Sequence, residues 1–179
     1  MQQDDIAVYE DKDAYDVYVA ALQLGRPHQD SIERAEVLII QQEIESWEGR
    51  KDPGIKFAED AKAEWEPVLE SLVLANQKPM KLKNIFPLKT PYKLLSKEDM
   101  RKGLPEGGGW KAYYKKFPNS NGYIWFSAVG FNAEKTKAIV YVSHLCGSLC
   151  GGGGPHFLER KDGKWVAADV QVSFGVWAS

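Results

Sequence analysis

Residues 121–165 read NGYIWFSAVGFNAEKTKAIVYVSHLCGSLCGGGGPHFLERKDGKW, and this stretch decides the fold of the chain. Apolar and polar side chains alternate along much of it, which indicates β-strands, and Asp162-Gly163 is a typical hairpin turn. The stretch also contains both cysteines, two of the three histidines and a run of four glycines. It therefore predicts a β-meander interrupted by a glycine-rich loop, and we expect any chemistry of the protein to lie there.

The alternation predicts four strands in this half of the chain. We place them at residues 123–131, 137–146, 156–160 and 165–177. Consecutive strands joined by short turns form an antiparallel meander. The run from Gly151 to Gly154, followed by Pro155, is expected to be a wide loop between the second and third strands, because glycine adopts positive φ angles readily.

The first half of the chain predicts helices and connections. Asp11 and Ser96 each precede a short apolar pattern and can cap a helix. A longer amphipathic helix is predicted over residues 55–75, with a kink or break at Pro67 because proline removes a helical hydrogen bond. Residues 110–117 predict a further short helix. Three prolines between residues 76 and 95 predict an extended connection across the surface.

These elements predict one α+β domain over residues 1–179. Residues 1–118 form its mainly helical and connecting half, and residues 119–179 form the antiparallel β-meander on which the helices pack. An early strand is also expected at residues 36–42, where the sequence is short and β-branched. The order of elements is compatible with a curved cone of the cystatin or nuclear-transport-factor type, although fold carries no function by itself.

Composition and charge exclude several classes of partner. The 179 residues, 44% of them hydrophobic, suffice for a core without a stabilising metal or disulfide framework. The formal net charge is −2, so we expect no nucleic-acid partner, and no apolar run approaches the roughly 18 residues of a membrane span. The opening MQQDD is typical of an exported protein whose signal peptide has been removed, so we predict a secreted or periplasmic protein, with a cytoplasmic one as the alternative.

The second half of the chain resembles a family of uncharacterised bacterial proteins. The resemblance lies in FSAVGFNAEKTKAIVYVSHLCGSLCGGGGPHFLERKDGKW, preceded by LLSKEDM and GGGWKAYYKKFP. In that family, a strand of the pattern GFN...T.A..YV is followed by a CG.LCG.G loop and a GKW hairpin strand. The resemblance implies a bacterial, often exported, domain and brings no activity with it.

The cysteines and histidines of the stretch are the candidate chemical residues. His144, Cys146, Cys150 and His156 are ligands that zinc or copper accepts, which makes a zinc site one alternative. A local Cys146–Cys150 disulfide is another, and two reduced thiols are a third. A cysteine nucleophile activated by either histidine, with glycine amides as an oxyanion site, is a fourth.

From these observations we predict an exported, non-enzymatic binding module without a cofactor. Its aromatic-rich sheet and its glycine loop would contact an unknown protein or small-molecule ligand. The expected contact residues of the loop are Gly151, Gly152, Gly153, Gly154 and His156. The alternative is a small metal- or thiol-dependent enzyme, or a metal-binding protein, that uses His144, Cys146, Cys150 and His156.

Overall fold

The structure is a computed structural model that describes residues 6–24, 34–49, 53–102, 105 and 108–178. Within these residues the chain is α+β, as predicted, with four helices and thirteen strands. The helices are α1 (Lys12–Gln23), α2 (Glu59–Ala75), α3 (Lys97–Arg101) and α4 (Gly109–Lys116). The strands are β1 (Val8–Tyr9), β2 (Leu38–Gln41), β3 (Glu43–Ile44), β4 (Lys56–Phe57), β5 (Met80–Leu82), β6 (Tyr92–Leu95), β7 (Tyr123–Phe126), β8 (Gly130–Phe131), β9 (Lys137–Gly147), β10 (Cys150–Lys161), β11 (Lys164–Ala167), β12 (Val172–Ser173) and β13 (Trp177–Ala178).

The main sheet draws strands from both halves of the chain. Its order is β11-β10-β9-β7-β2-β6, with β13 also paired to β10 and β8 to β9. The strands from β7 to β11 pair antiparallel, whereas β2 pairs parallel to both β7 and β6. The predicted sheet of C-terminal strands alone was therefore incomplete. Strand β6 lies in the segment 76–95, which the prolines had suggested to be a surface connection.

The helix boundaries follow local signals. The Asp11 carboxylate accepts the backbone N–H of Asp13 and caps α1, and the Ser96 hydroxyl accepts the N–H of Asp99 and caps α3, as predicted. Of the two outcomes predicted at Pro67, a kink or a break, the break was wrong, because α2 runs without interruption through this residue. Burial of Trp65, Val68 and Leu72 on one side of α2 outweighs the one hydrogen bond that the proline lacks.

The main core lies between α1 and one face of the sheet. Side chains alternate across a strand, so the even-numbered residues of β9, from Ala138 to Val142, share a face with Ile124 and Phe126 of β7. Tyr15 and Tyr18 of α1 pack on this even face, and the Tyr18 hydroxyl donates to the Ser127 carbonyl oxygen at 2.9 Å. Helix α1 thereby covers this face of the sheet.

The opposite, odd-numbered face of the sheet is covered only at its two ends by the described helices. At one end, Ile139 of β9 packs against α2. At the other end, Ile39 of β2 and Tyr123 of β7 pack with Tyr113 and Phe117 of α4. The middle of the odd face lies between these two clusters, and it is there that the clefts described below open.

The glycine run belongs to a strand, so the prediction of a loop was wrong. Gly151, Gly152, Gly153 and Gly154 pair in succession with residues 145 to 142 of β9, and Gly152 and Gly153 also pair with β13 on their other side. Because glycine has no side chain, this part of β10 leaves room for the C-terminal segment to pair beside it. A Cβ atom on Gly154 would come within 2.9 Å of Val176.

The predicted final strand, residues 165–177, is divided into three short strands. Strand β11 pairs with β10, β12 pairs with β4, and β13 returns to pair with β10. The return of β13 places Trp177 beside the glycine run, opposite Gly153. No helix within the described ranges has the length and apolar character that crossing a membrane requires.

Candidate binding cleft

A cleft of about 720 Å³ opens on the odd face of the sheet. Strands β7, β9 and β13 form one side of it, and helices α3 and α4 form the other. We call it the first cleft. Its volume is within the range of pockets that hold small ligands.

Four aromatic side chains form a continuous row along the first cleft. The ring centroids of Trp110 and Tyr123 are 6.1 Å apart, those of Tyr123 and Trp125 are 5.7 Å apart, and those of Trp125 and Trp177 are 5.8 Å apart. The corresponding angles between ring planes are 19°, 34° and 20°. We call these four residues the aromatic row. It presents an apolar surface that reaches solvent, since Trp177 is 41% exposed.

Two small residues make the floor on which the row lies. Trp125 pairs with Ser143, Ser143 pairs with Gly153, and Gly153 pairs with Trp177, so all four share the odd face. A Cβ atom on Gly153 would lie 2.8 Å from Nε1 of Trp177 and 2.9 Å from Cβ of Ser143, which is too close for non-bonded atoms. The glycine is therefore required for the two indoles to meet above the strands.

Charged groups line the rim of the first cleft. Lys97 forms an ion pair with Glu45, and its backbone N–H donates to the Glu43 carboxylate at 3.1 Å. Arg101 has no carboxylate partner among the described residues. Lys97 and Arg101 line the same cleft as Tyr123; burial raises the pKa of Tyr123, while the positive charges of these two side chains lower it.

A second cleft, of about 670 Å³, adjoins the first. It shares Glu45, Trp125 and Trp177 with the first cleft, so the two are continuous around the stacked indoles. It adds the rings of Trp47 and Tyr141, which meet edge to face with centroids 5.3 Å apart. Together the two clefts form one groove, which we call the aromatic groove.

The two cysteines shape one rim of the first cleft. The sulfur atoms of Cys146 and Cys150 are at bonding distance, and their Cα atoms are 5.0 Å apart, as in a disulfide. The bond closes the turn between β9 and β10, where Gly147 and Ser148 line the cleft. The Tyr114 hydroxyl donates to the Cys146 carbonyl oxygen at 2.8 Å and holds this turn against α4.

The structure separates the two candidate histidines. Both lie on the even face of the sheet, where His144 is opposite Gly152 and His156 is opposite Val140. Four residues of a strand span about 13 Å, so His156 is remote from the other three proposed ligands. Within the described residues, no group of three or more His, Cys, Asp or Glu side chains is arranged to hold a metal.

Both histidines are held on the core side of the sheet by burial and by hydrogen bonds with the backbone. His144 is buried, and its Nε2 atom forms a hydrogen bond with the Asn121 carbonyl oxygen. Burial lowers the pKa of His156, and a hydrogen bond with the backbone of Gly154 partly offsets this effect. Neither histidine lines either cleft.

Of the predicted loop contacts, only Gly153 lines either of these two clefts. The residues that do form the site are those of the aromatic row, and the sequence predicted them only as part of an aromatic-rich sheet. A signal for them was present. Tyr123 and Trp125 alternate on one face of a strand, and the chain contains six tryptophans.

Comparison with known proteins leaves the site to be interpreted from its own geometry. No protein-family model, curated protein or solved structure matches the chain. The resemblance to a bacterial family therefore remains a prediction.

Proposed function

We propose that this protein is a non-enzymatic binding module whose ligand lies in the aromatic groove against Trp125 and Trp177. The observation that carries the proposal is the aromatic row itself, four neighbouring rings that run from Trp110 of α4 to Trp125 and Trp177 in the middle of the odd face. Clefts lined by aromatic side chains with a few polar groups at the rim are the usual form of a ligand site.

The aromatic row is preorganised, because strand pairing holds Tyr123, Trp125 and Trp177 in position without a ligand. Tyr123 and Trp125 project from a strand in the interior of the sheet, and Trp177 is fixed by pairing of β13 with β10. Rings that already touch one another lose little conformational freedom when a ligand arrives, so more of the contact energy appears as affinity. Solvent-exposed apolar area of this kind is otherwise unfavourable, which supports a binding role.

The described residues support a metal- or thiol-dependent enzyme less well than a binding module. Cys146 and Cys150 are joined to each other, and His144 and His156 face the core side of the sheet. Among the polar groups that reach the groove, Glu45 forms an ion pair with Lys97. A carboxylate held in this way suits ligand recognition better than catalysis. Binding without covalent chemistry is the activity that these residues support best.

We further propose that the protein acts outside the cytoplasm. Disulfides persist in oxidising compartments and are rare in the reducing cytosol, and the Cys146–Cys150 pair supports such a location. A bond that closes a turn of three residues adds little to stability, so its main effect is on the shape of the cleft rim.

The proposal is tested by a fragment screen observed through the indole N–H signals of the six tryptophans in an NMR spectrum. The probes are indole, benzamide and methyl glucoside, each titrated separately. We expect at least one probe to shift the signals of Trp110, Trp125 and Trp177, and to leave those of the buried Trp65 and Trp165 unchanged. Trp125→Ala should remove these shifts. Shifts that spare the aromatic row, or no shifts with any probe, would contradict a binding site there.

A further inference from the structure

We infer that the ligand is an uncharged saccharide chain that lies across both clefts, in contact with Trp125 and Trp177 at the centre. The inference rests on the proposed function, and it adds the chemical class of the ligand. Three features carry it, namely the length of the groove, the arrangement of its rings and the character of its rim.

The length of the groove fits a chain better than a compact molecule. Trp110 of α4 stands at one end, in the first cleft, and Trp47 and Tyr141 stand at the other end, in the second cleft. The stacked pair of Trp125 and Trp177 belongs to both clefts. A ligand that used all of this aromatic surface would need several linked units, each in contact with one or two rings.

The rings of the aromatic row offer their faces for stacking and leave no gap between neighbouring rings. Neighbouring planes are inclined by only 19° to 34°, and the rings touch, so no flat group can insert between them. The C–H groups on one side of a pyranose ring form a shallow apolar surface with partial positive charge. Such a surface matches the negative face of an aromatic ring, and stacking of this kind needs no insertion.

The rim supplies hydrogen-bond donors and acceptors close together. Glu45 and Glu48 carry carboxylate acceptors, whereas Arg101 carries donors. Trp125 and Trp177 line the groove, and their indole N–H groups are further donors. A hydroxyl group both donates and accepts, and a saccharide presents hydroxyls along its whole edge.

A proline-rich peptide, the other common occupant of aromatic grooves, fits this rim less well. Its prolines have no backbone N–H, so its backbone at those positions offers only carbonyl oxygens. Those oxygens would face the carboxylates of Glu45 and Glu48 and gain nothing from them. The saccharide satisfies the same carboxylates by donating its hydroxyl protons.

The charge of the groove selects an uncharged ligand. Its lining contains two acids, Glu45 and Glu48, and two bases, Lys97 and Arg101, so the formal charges cancel. A polyanion would require an excess of bases and would bind with a strong dependence on salt. We therefore expect the affinity for a saccharide chain to be nearly independent of salt concentration.

The test is calorimetric titration of the protein with soluble neutral polysaccharides and their oligosaccharides, namely β-glucan, α-glucan, xylan, mannan and chito-oligosaccharides. A proline-rich peptide is titrated in parallel. We expect one saccharide class to bind, with affinity that rises with chain length from the disaccharide upwards. Trp125→Ala and Trp177→Ala should each weaken binding about tenfold or more. Leu74→Ala, which removes an exposed apolar side chain of α2 outside both clefts, should leave the affinity unchanged.

Two further variants distinguish a loss of ligand contacts from a general loss of folding in the alanine variants. Trp125→Phe keeps a ring on the same strand and should restore part of the affinity, and the exposed Arg101→Gln should weaken binding without affecting stability. Failure of every saccharide to bind, while fragments still shift the indole signals of the aromatic row, would overturn the saccharide assignment and leave the binding module intact. Peptide binding that depends on Trp125 would also overturn it. Loss of the fragment shifts as well would overturn the proposed function itself.

Discussion

Trp125 and Trp177 stack with ring centroids 5.8 Å apart and planes inclined by 20°, although strands β9 and β10 lie between their own strands. They meet because the intervening positions are Ser143 and Gly153, which leave the space above the sheet free. A contact that spans four strands therefore requires small residues at the two positions between the tryptophans. The candidate site therefore depends on the small size of Ser143 and Gly153 as well as on the two indoles.

Gly153→Ala should separate the two indoles. The added methyl group would lie 2.8 Å from Nε1 of Trp177 and must displace it, and we expect a loss of about 1–3 kcal/mol in the free energy of unfolding. Circular dichroism in the aromatic region reports the coupling of the rings and should decrease. Gly175→Ala is the matched control, since a methyl group there meets nothing within 4 Å. An unchanged spectrum for Gly153→Ala would show that the glycine is not what holds the pair.

Asn76→Ala should be among the most destabilising single substitutions. The Asn76 side chain is fully buried, accepts the Ala128 N–H at 2.8 Å, and donates to the carbonyl oxygens of Leu72 at 2.8 Å and Ala128 at 3.1 Å. Its loss leaves buried backbone groups without partners, so urea denaturation should show a decrease of about 3 kcal/mol in the free energy of unfolding. Gln77→Ala, which removes one partly buried bond to Val73, should cost about 1 kcal/mol or less. Equal losses for the two variants would contradict this assignment.

The parts of the fold that could be predicted from the sequence are those fixed by neighbouring residues. The caps at Asp11 and Ser96 depend on atoms two or three residues away, so the sequence indicates them directly. The parallel pairing of β2 with β6 joins segments more than fifty residues apart, and no local pattern specifies it. Pairing partners of this kind are decided by the packing of the whole sheet.

The candidate site was predictable only in its general character. The alternation of Tyr123 and Trp125 indicated an aromatic sheet, and the structure places both in the first cleft. The run from Gly151 to Gly154 was interpreted as a loop because glycine adopts turn conformations readily. Its role beneath Trp177 could not be predicted, since it depends on the return of β13 to an edge of β10.

Oxidised protein should resist alkylation at both cysteines. With the Cys146–Cys150 bond formed, intact mass should show no added alkyl groups without a reductant and two after reduction under denaturing conditions. Cys146→Ser with Cys150→Ser should lower the free energy of unfolding by about 2 kcal/mol or less, because the closed loop is short. The same variant should weaken ligand binding, since the turn between the cysteines lines the first cleft. Alkylation of both thiols in native, unreduced protein would contradict the disulfide.

Acidification should destabilise the protein through His156. Burial lowers the pKa of His156 in the folded protein below its ordinary value of 6.5. Between these two pKa values the unfolded chain binds more protons, so the contribution is complete above pH 6.5 and decreases as the pH falls below it. The slope can reach about 1.4 kcal/mol per pH unit.

The comparison of wild type with His156→Gln isolates this effect, because the other titrating groups are common to both proteins. Urea denaturation at several pH values from 7.5 downwards should show a steeper loss of stability for the wild type below pH 6.5. Parallel curves for the two proteins would show that His156 is protonated as readily in the folded state as in the unfolded state.

The central claim is that the aromatic groove binds the ligand, and the most direct measurement is a crystal structure of the protein with the tightest-binding oligosaccharide. We predict electron density for a sugar ring in van der Waals contact with the indole of Trp125 or Trp177, with neighbouring units extending into one or both clefts. Density for the oligosaccharide at another surface, with Trp125 and Trp177 facing only solvent, would contradict the claim.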